Sequence, residues 1–265
     1  MRYCGVDISA RPGNQQLVTL HERRASEGGV ELVATFYAPG TVAQLARTIQ
    51  GFGRGQAVVA VDAPSAPRLD LLAAGAPMRA ELGLPDGRYE RMRVCDALLF
   101  RRGLPLYPVP AAGQSPRGWE QWIGVGFELY AALSGLGLYR PQASEGKIAQ
   151  VGSAALRFGR LCETYPDAIF CGLLGHRPSP KRTPWGLQQR IAALRMKGIA
   201  DADGGLWHRT LDELDACAAA YAARALAEGG GSWVGDPREG VIVLPVPELA
   251  DRYDKLPPPA RTRLA

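Results

Sequence analysis

Five acidic residues stand at positions where their carboxylates can form one site. Asp7 and Asp62 each end a short run of small and branched apolar residues. Such runs are typical of strands buried on both faces, and an Ala-Pro pair ends the second run because proline cannot donate to a strand ladder. Glu163 stands shortly before another proline. Asp212 and Asp215 lie three positions apart near the start of an alanine-rich segment.

Converging carboxylates repel one another, and a divalent cation with oxygen ligands relieves this repulsion. Mg²⁺ or Mn²⁺ held in this way can activate water and stabilise the leaving oxygen of a phosphodiester. Alternatively, the strand-end aspartates are turn residues and Asp212 is a favourable first-turn charge. Asp215 does not fit this alternative, because helical spacing places it on the buried stripe. We therefore expect the catalytic residues to be Asp7, Asp62, Glu163 and Asp215, and the metal ligands to be Asp7, Asp62, Asp212 and Asp215.

The elements that must position these acids follow an α/β pattern. An antiparallel meander of three strands, a capped helix and a buried strand are predicted at residues 2–8, 15–22, 30–37, 41–52 and 56–62. Both acidic strand tips can open on the same edge only if their strands run the same way. We therefore expect the strands that end at Asp7 and Asp62 to be parallel neighbours.

Residues 66–150 have a different pattern, in which Pro and Gly recur and strands are absent. Helical spacing of apolar residues predicts helices at 88–102 and 119–136. We expect a mostly helical insertion that overhangs the acidic strand tips, with Arg93 directed towards them. Alternatively, aromatic residues such as Trp122 only pack a small core of the insertion itself.

The C-terminal part predicts a strand at 154–165, helices at 168–175, 187–197 and 210–228, and an extended element at 233–247. Thr210 and Glu213 have the spacing of a capping box, which sets the start of the last helix. We expect one domain over residues 1–254, followed by a flexible tail at 255–265.

The composition of the chain indicates its type of partner, its cellular location and the state of its cysteines. A net charge of +5 and a pI of 9.1 suit a phosphate-bearing partner, although compositional bias explains them equally well. No apolar run approaches the ~20 residues that span a membrane, and the chain begins directly with a strand, so we expect a cytoplasmic protein. The five scattered cysteines lack CxxC spacing, which favours reduced thiols over disulfides or a zinc site.

Six segments carry a resemblance to a known family over residues 2–240. GVDISA, VAVDAP, RMRVCD, CETYP, the stretch from Lys181 to Arg190, and LDACAAAYAA resemble, in this order, the family called domain of unknown function 429. That family is regarded as ribonuclease H-like nucleases. The resemblance implies a ribonuclease H-like mixed sheet and a nuclease that uses Mg²⁺ or Mn²⁺ on DNA or RNA. It also implies roles for the residues that match its acidic positions and its insertion motif, which are Asp7, Asp62, Glu163, Asp215, Arg93 and Asp96.

Four residues are candidates for substrate binding, namely Arg93, Asp96, Lys181 and Arg190. A guanidinium group fits a phosphate well, so Arg93 could contact the scissile or a flanking phosphate. Alternatively, Arg93 and Asp96 form a local ion pair. For Lys181 and Arg190 the alternative is a solvated surface.

Two other functions stay open. One is a binding module for nucleic acid or a protein partner that keeps the fold without turnover. The other is an ATP-dependent phosphotransferase of the sugar-kinase and actin superfamily. That enzyme needs a phosphate loop after Asp7, and the segment SARPG at 9–13 is a poor candidate. Binding of Mg²⁺ or Mn²⁺ that depends on Asp7 would distinguish both enzymes from the binding module.

Overall fold

The computed structural model describes residues 1–24, 29–53, 55–140, 142–143, 156–157, 159–203 and 205–256. The strands in these ranges are β1 Arg2–Asp7, β2 Gln15–Arg24, β3 Val30–Gly40, β4 Ala57–Asp62, β5 Gln142–Ala143, β6 Leu156–Arg157, β7 Leu161–Glu163, β8 Ile199–Asp201, β9 Ser232–Asp236 and β10 Gly240–Leu244. The α-helices are α1 Val42–Gly51, α2 Pro77–Glu81, α3 Val94–Arg101, α4 Gln121–Gly135, α5 Pro166–Leu174, α6 Pro184–Met196 and α7 Leu211–Glu228.

Eight of the described strands form one mixed sheet in the order β8-β3-β2-β1-β4-β7-β10-β9. The strands β1, β2 and β3 make the predicted antiparallel meander, whereas β4, β7 and β10 run parallel to β1. Helix α7 packs on one face, and α1 and α4 cover the other. The predicted mixed α/β sheet flanked by helices is therefore confirmed.

The two strands that carry the first acids are parallel neighbours, as predicted. Asp7 of β1 stands directly opposite Asp62 of β4 in the register. Both strands are buried along their apolar runs, which explains why their sequences show no polar alternation. The tips of both strands therefore open on the same edge of the sheet.

Helix α7 reaches that edge because small residues allow it to approach β1 closely. A Cβ atom added to Gly5 would lie 1.9 Å from the carbonyl oxygen of Ala216 and 2.2 Å from the amide nitrogen of Ala220. The predicted capping box is present. The Thr210 hydroxyl accepts a hydrogen bond from the amide of Glu213, and the Glu213 carboxylate accepts one from the amide of Thr210. This close packing brings the first turns of α7 to the tips of β1 and β4.

The insertion is less helical than predicted. Helix α3 begins only at Val94, since Tyr89 has a φ of 65°, which a right-handed helix excludes. Residues 102–117 are irregular because prolines recur there and remove backbone donors. The second helix is confirmed as α4, preceded by a 3₁₀ turn at Gly118–Glu120.

Several C-terminal predictions change in detail. The described part of the strand predicted at 154–165 is β7 with the short β6, and residues 154–155 and 158 lie outside the described residues. The extended element at 233–247 is a hairpin of β9 and β10, and the edge strand β8 was not predicted. Most of 141–150 and residues 257–265 of the predicted tail are also outside the described residues, so the domain boundaries stay a prediction.

The cysteines and the described helices bear on the expectations drawn from composition. All five cysteines are buried and free, as the sequence pattern predicted. Among the helices described, none has the length and apolarity needed to cross a bilayer.

Candidate functional site

Asp7 and Asp62 form the centre of the acidic edge. Their carboxyl groups lie within hydrogen-bonding distance of each other, and both side chains are half-buried. Burial, reinforced by the charges of Asp215 and Asp212, raises the pKa of Asp7 well above its usual value. Burial and the charges of Asp7 and Asp215 raise the pKa of Asp62 in the same way. The pair therefore holds a proton more tightly than isolated aspartates do.

Asp215 comes to the same edge from α7. It is only 3% exposed, and its Oδ2 accepts a hydrogen bond of 2.9 Å from Nζ of Lys181. Its Oδ1 is buried and has no hydrogen-bond partner within the part of the chain that the structure describes. Burial raises the pKa of Asp215 to about 6, although Lys181 opposes this shift. Such a buried oxygen needs a ligand or a proton, because leaving it unpaired is costly.

Asp212 lies at the rim of the cluster. It is exposed in the first turn of α7, and its charge acts on Asp7. This position suits both interpretations of Asp212 from the sequence, a helix-start charge and a metal ligand, so its role as a ligand stays a prediction.

Glu163 does not join this cluster. It pairs in the register with Val61, one residue short of Asp62, and strand alternation directs it to the other face of the sheet. Its Oε1 accepts a bond of 2.6 Å from Arg93, and its Oε2 accepts bonds from Arg93 at 3.0 Å and from the amide of Ser65 at 2.8 Å. Both carboxylate oxygens of Glu163 are thus engaged, but Glu163 lines the same cavity as Asp62 and Lys181, and its catalytic role stays a prediction.

Arg93 and Asp96 form the ion pair that was the alternative to substrate binding. Nε and Nη2 of Arg93 donate to the two carboxylate oxygens of Asp96, each at 2.9 Å. Nη1 and Nη2 also donate to Glu163, and Nη1 donates to the carbonyl oxygen of Glu239. All five guanidinium donors are engaged and the side chain is 1% exposed, so none is left for a phosphate.

The Arg93 cluster also argues against a second metal site. Ligand atoms of Cys95, Asp96 and Glu163 lie within 4.8 Å of one another. However, Arg93 already donates hydrogen bonds to both carboxylates, and burial raises the pKa of the Cys95 thiol well above its usual value. The four carboxylate oxygens are thus already hydrogen-bonded, and the thiol favours its protonated form, which is a poor metal ligand.

Lys181 and Arg190 have different environments, and neither is simply a solvated surface residue. Lys181 is 44% exposed and pairs with Asp215. Arg190 is buried; it donates to Asp167 at 2.9 Å and to the carbonyl oxygens of Ser179 and Gly186. Arg190 therefore holds the loop that carries Lys181, and the sequence-based role as a substrate contact does not suit its burial.

Asp167 is an acid that the sequence analysis missed. It stands in the first turn of α5, after Pro166, and shares a cavity of about 340 Å³ with Asp62 and Lys181. An acid directly after the proline that starts a helix, just past a strand, is the pattern that could have revealed it, since it places a carboxylate on the same edge of the sheet.

The donor set of the acidic edge consists of carboxylate oxygens. Asp7, Asp62 and Asp215 converge there, Asp212 lies at the rim, and Lys181 is the one cation paired with them among the described residues. Hard oxygen donors with excess negative charge and one unpartnered buried oxygen fit Mg²⁺ or Mn²⁺.

Comparison with known proteins identifies the family. A family profile described as "Protein of unknown function (DUF429)" matches residues 5–239. The chain belongs to the DUF429 family. No match is found among the curated proteins or among the solved structures.

The DUF429 match confirms the resemblance drawn from the sequence motifs. It spans the acidic edge from Asp7 to Asp215, together with Lys181 and the Arg93 cluster. The family description states no activity, so the function of this DUF429 protein must be argued from the chemistry of its site.

Proposed function

We propose that this DUF429 protein is a ribonuclease H-like nuclease that hydrolyses phosphodiester bonds in nucleic acid with Mg²⁺ or Mn²⁺. The observation that carries the proposal is the convergence of Asp7, Asp62 and Asp215 from two parallel strands and one helix, with one buried oxygen unpartnered. A meander of three strands followed by a helix and a parallel strand supports the ribonuclease H-like assignment.

Asp7 and Asp62 would hold the cation, and Asp215 would complete the site with its unpartnered Oδ1. When bound, the cation lowers the pKa of the attacking water and neutralises charge at the leaving oxygen. The rigid strands β1 and β4 fix the spacing of the first two ligands, so the site needs little reorganisation.

Lys181 is suited to bind a phosphate oxygen of the substrate. Burial lowers the pKa of Lys181, but the Asp215 carboxylate raises it more, so the ammonium group stays charged at neutral pH. Its partial exposure leaves donors free towards the cavity. The Arg190–Asp167 pair and the backbone bonds of Arg190 keep this loop in place.

The Arg93 cluster has a positioning role in this proposal. Glu163 accepts the amide of Ser65, and Arg140 donates to the Ser65 carbonyl at 2.7 Å. Ser65 follows Asp62 by three residues, so these bonds fix the turn that directs the Asp62 carboxylate. Arg93 holds Glu163 in place for this purpose, because it donates to both carboxylate oxygens.

A cleavage assay tests the proposal. Labelled single-stranded DNA, single-stranded RNA and their duplexes would be incubated with the purified protein in Mg²⁺, in Mn²⁺ and in EDTA. We expect cleavage of at least one substrate with metal and none in EDTA. If no substrate is cleaved with either metal, or if cleavage persists in EDTA, the nuclease proposal is wrong, and metal-independent binding would favour the binding module.

Lys181→Met tests the phosphate contact. We expect weaker binding of a single-stranded oligonucleotide in EDTA and a salt dependence whose log–log slope is smaller by about 0.7, the value for one phosphate contact. The melting temperature should fall at neutral pH, because the change leaves the buried Asp215 carboxylate without its cation, so binding is measured well below that temperature. Exposed Lys197 provides the matched control, and Lys197→Met should leave the slope unchanged. Equal slopes for the two variants would remove Lys181 from the substrate site.

A further inference from the structure

Three aromatic side chains form a continuous group beside the acidic edge. Tyr107 lies between Trp119 and Trp122, with ring centroids 5.3 Å and 6.2 Å apart, respectively. Trp122 is half-buried against the core, whereas Tyr107 is 62% exposed and Trp119 is 56% exposed. We call these three residues the aromatic ladder, since they lead from the core to the solvent.

The aromatic ladder borders the cavity at the tip of β4. Tyr107 and Trp122 line it together with Asp62, Lys181 and Asp167. Apolar rings therefore form one wall of this cavity, and charged groups that suit a phosphate and its metal form another. A nucleotide has the same division between an apolar base and a charged phosphate.

The exposed rings are held in place by the surrounding structure. The hydroxyl of Tyr165 donates to the carbonyl oxygen of Pro105 at 2.7 Å, which anchors the segment that carries Tyr107. Trp119 belongs to the 3₁₀ turn that leads directly into α4. Single exposed apolar residues are common on proteins, but a fixed group of aromatic rings next to a polar site is typical of a binding surface.

We propose that the aromatic ladder stacks on an unpaired base of the substrate, so that the preferred substrate is a single strand or a frayed end of DNA or RNA. This inference rests on the proposed function. Every base offers a flat face to an aromatic ring, and such stacking contributes roughly 1–3 kcal/mol per base. Bases within a continuous duplex are already stacked on their neighbours and do not offer that face.

Binding can be measured separately from cleavage. Anisotropy of labelled oligothymidylate, oligouridylate and a DNA duplex would be recorded with the whole protein in EDTA. We expect both single strands to bind more tightly than the duplex, and the difference between them to show whether DNA or RNA is preferred. Trp119→Ala should weaken single-strand binding by roughly 5- to 150-fold, as expected for the loss of one stacked base.

The matched control is Trp207, which is 52% exposed and lines a different cavity with Gly198 and Ile199. Trp207→Ala should bind like the wild type, Trp119→Phe should keep most of the affinity, and thermal melts should show that all three variants are folded. Weaker binding by Trp119→Ala alone supports the aromatic ladder even if the cleavage assay fails. Wild-type affinity in Trp119→Ala, or a preference for the duplex, overturns the inference even if the protein cleaves nucleic acid.

Discussion

Asp7→Asn is expected to abolish metal-dependent cleavage and to raise the melting temperature of the protein in EDTA. Loss of even an outer-shell partner of a metal ligand lowers activity about 10- to 100-fold, so loss of a ligand should exceed roughly 100-fold. The stability gain has a separate cause. Asp7 lies against Asp62 and near Asp215, and in the described part of the chain it has no ion pair. An amide at this position removes both the repulsion and the burial of a charge.

The same change should alter the pH dependence of stability. Burial, with the neighbouring charges, raises the pKa values of Asp7 and Asp62, and burial raises that of Asp215 to about 6. A carboxyl whose pKa is raised by folding stabilises the protein below its ordinary pKa, and that contribution is lost as the pH rises through the folded pKa. For Asp215, a shift from 3.8 to about 6 corresponds to roughly 3 kcal/mol.

Thermal melts in EDTA from pH 4 to pH 8 measure this effect. We expect the melting temperature of Asp7→Asn to rise relative to the wild type as the pH increases, and Mg²⁺ to stabilise the wild type but not Asp7→Asn by mass action. Asp86 is an exposed carboxylate outside the cluster, so Asp86→Asn should follow the wild type. If Asp7→Asn melts lower than the wild type at neutral pH and still gains stability from Mg²⁺, Asp7 is a structural residue.

Arg93→Met should lower the free energy of unfolding by about 3–5 kcal/mol, as is typical when one partner of a buried ion pair is removed. The methionine would leave Glu163 and Asp96 buried without their shared cation. Removal of Arg93 would also release the turn after Asp62, through Glu163 and Ser65. Metal binding should therefore weaken as well, although Arg93 does not touch the acidic edge.

Urea unfolding measures this loss, and Arg91→Met provides the control because Arg91 is exposed two positions away. The free energy of unfolding of Arg93→Lys should lie between the values for Arg93→Met and Arg91→Met, since an ammonium group keeps the charge but loses the planar fork. Arg93→Lys also keeps the prediction testable if Arg93→Met does not fold. If Arg93→Lys and Arg91→Met unfold at the same urea concentration as the wild type, the cluster does not anchor the site.

The central part of the fold was predictable because local pattern and tertiary environment agree there. The apolar runs before Asp7 and Asp62 suit only buried strands, and the capping box at Thr210 identifies the start of α7. The edge strand β8 has three residues, too few for a periodic pattern. The segment 88–93 has helical spacing, but the positive φ of Tyr89 is set by its turn and cannot be read from that spacing.

The acidic site was predictable in part, for similar reasons. Strand tips and the buried stripe of α7 indicated Asp7, Asp62 and Asp215, because those positions follow from strand direction and helical period. The pairing of Glu163 with Arg93, 70 residues earlier, depends on a one-residue offset between β4 and β7. That offset, like the contact between Lys181 and Asp215, arises only when the chain is folded.

Calorimetric titration of Mn²⁺ into the metal-free protein tests the central claim most directly. Metal ligands must lose their protons, and burial raises the pKa of Asp215 to about 6, so binding should release protons near pH 6. The dependence of the heat on buffer ionisation would reveal this release, to which the raised pKa values of Asp7 and Asp62 add. The account predicts saturable binding with proton release in the wild type and in Asp86→Asn, and its loss in Asp7→Asn. Equal binding by Asp7→Asn and the wild type, or no binding by the wild type, would contradict it.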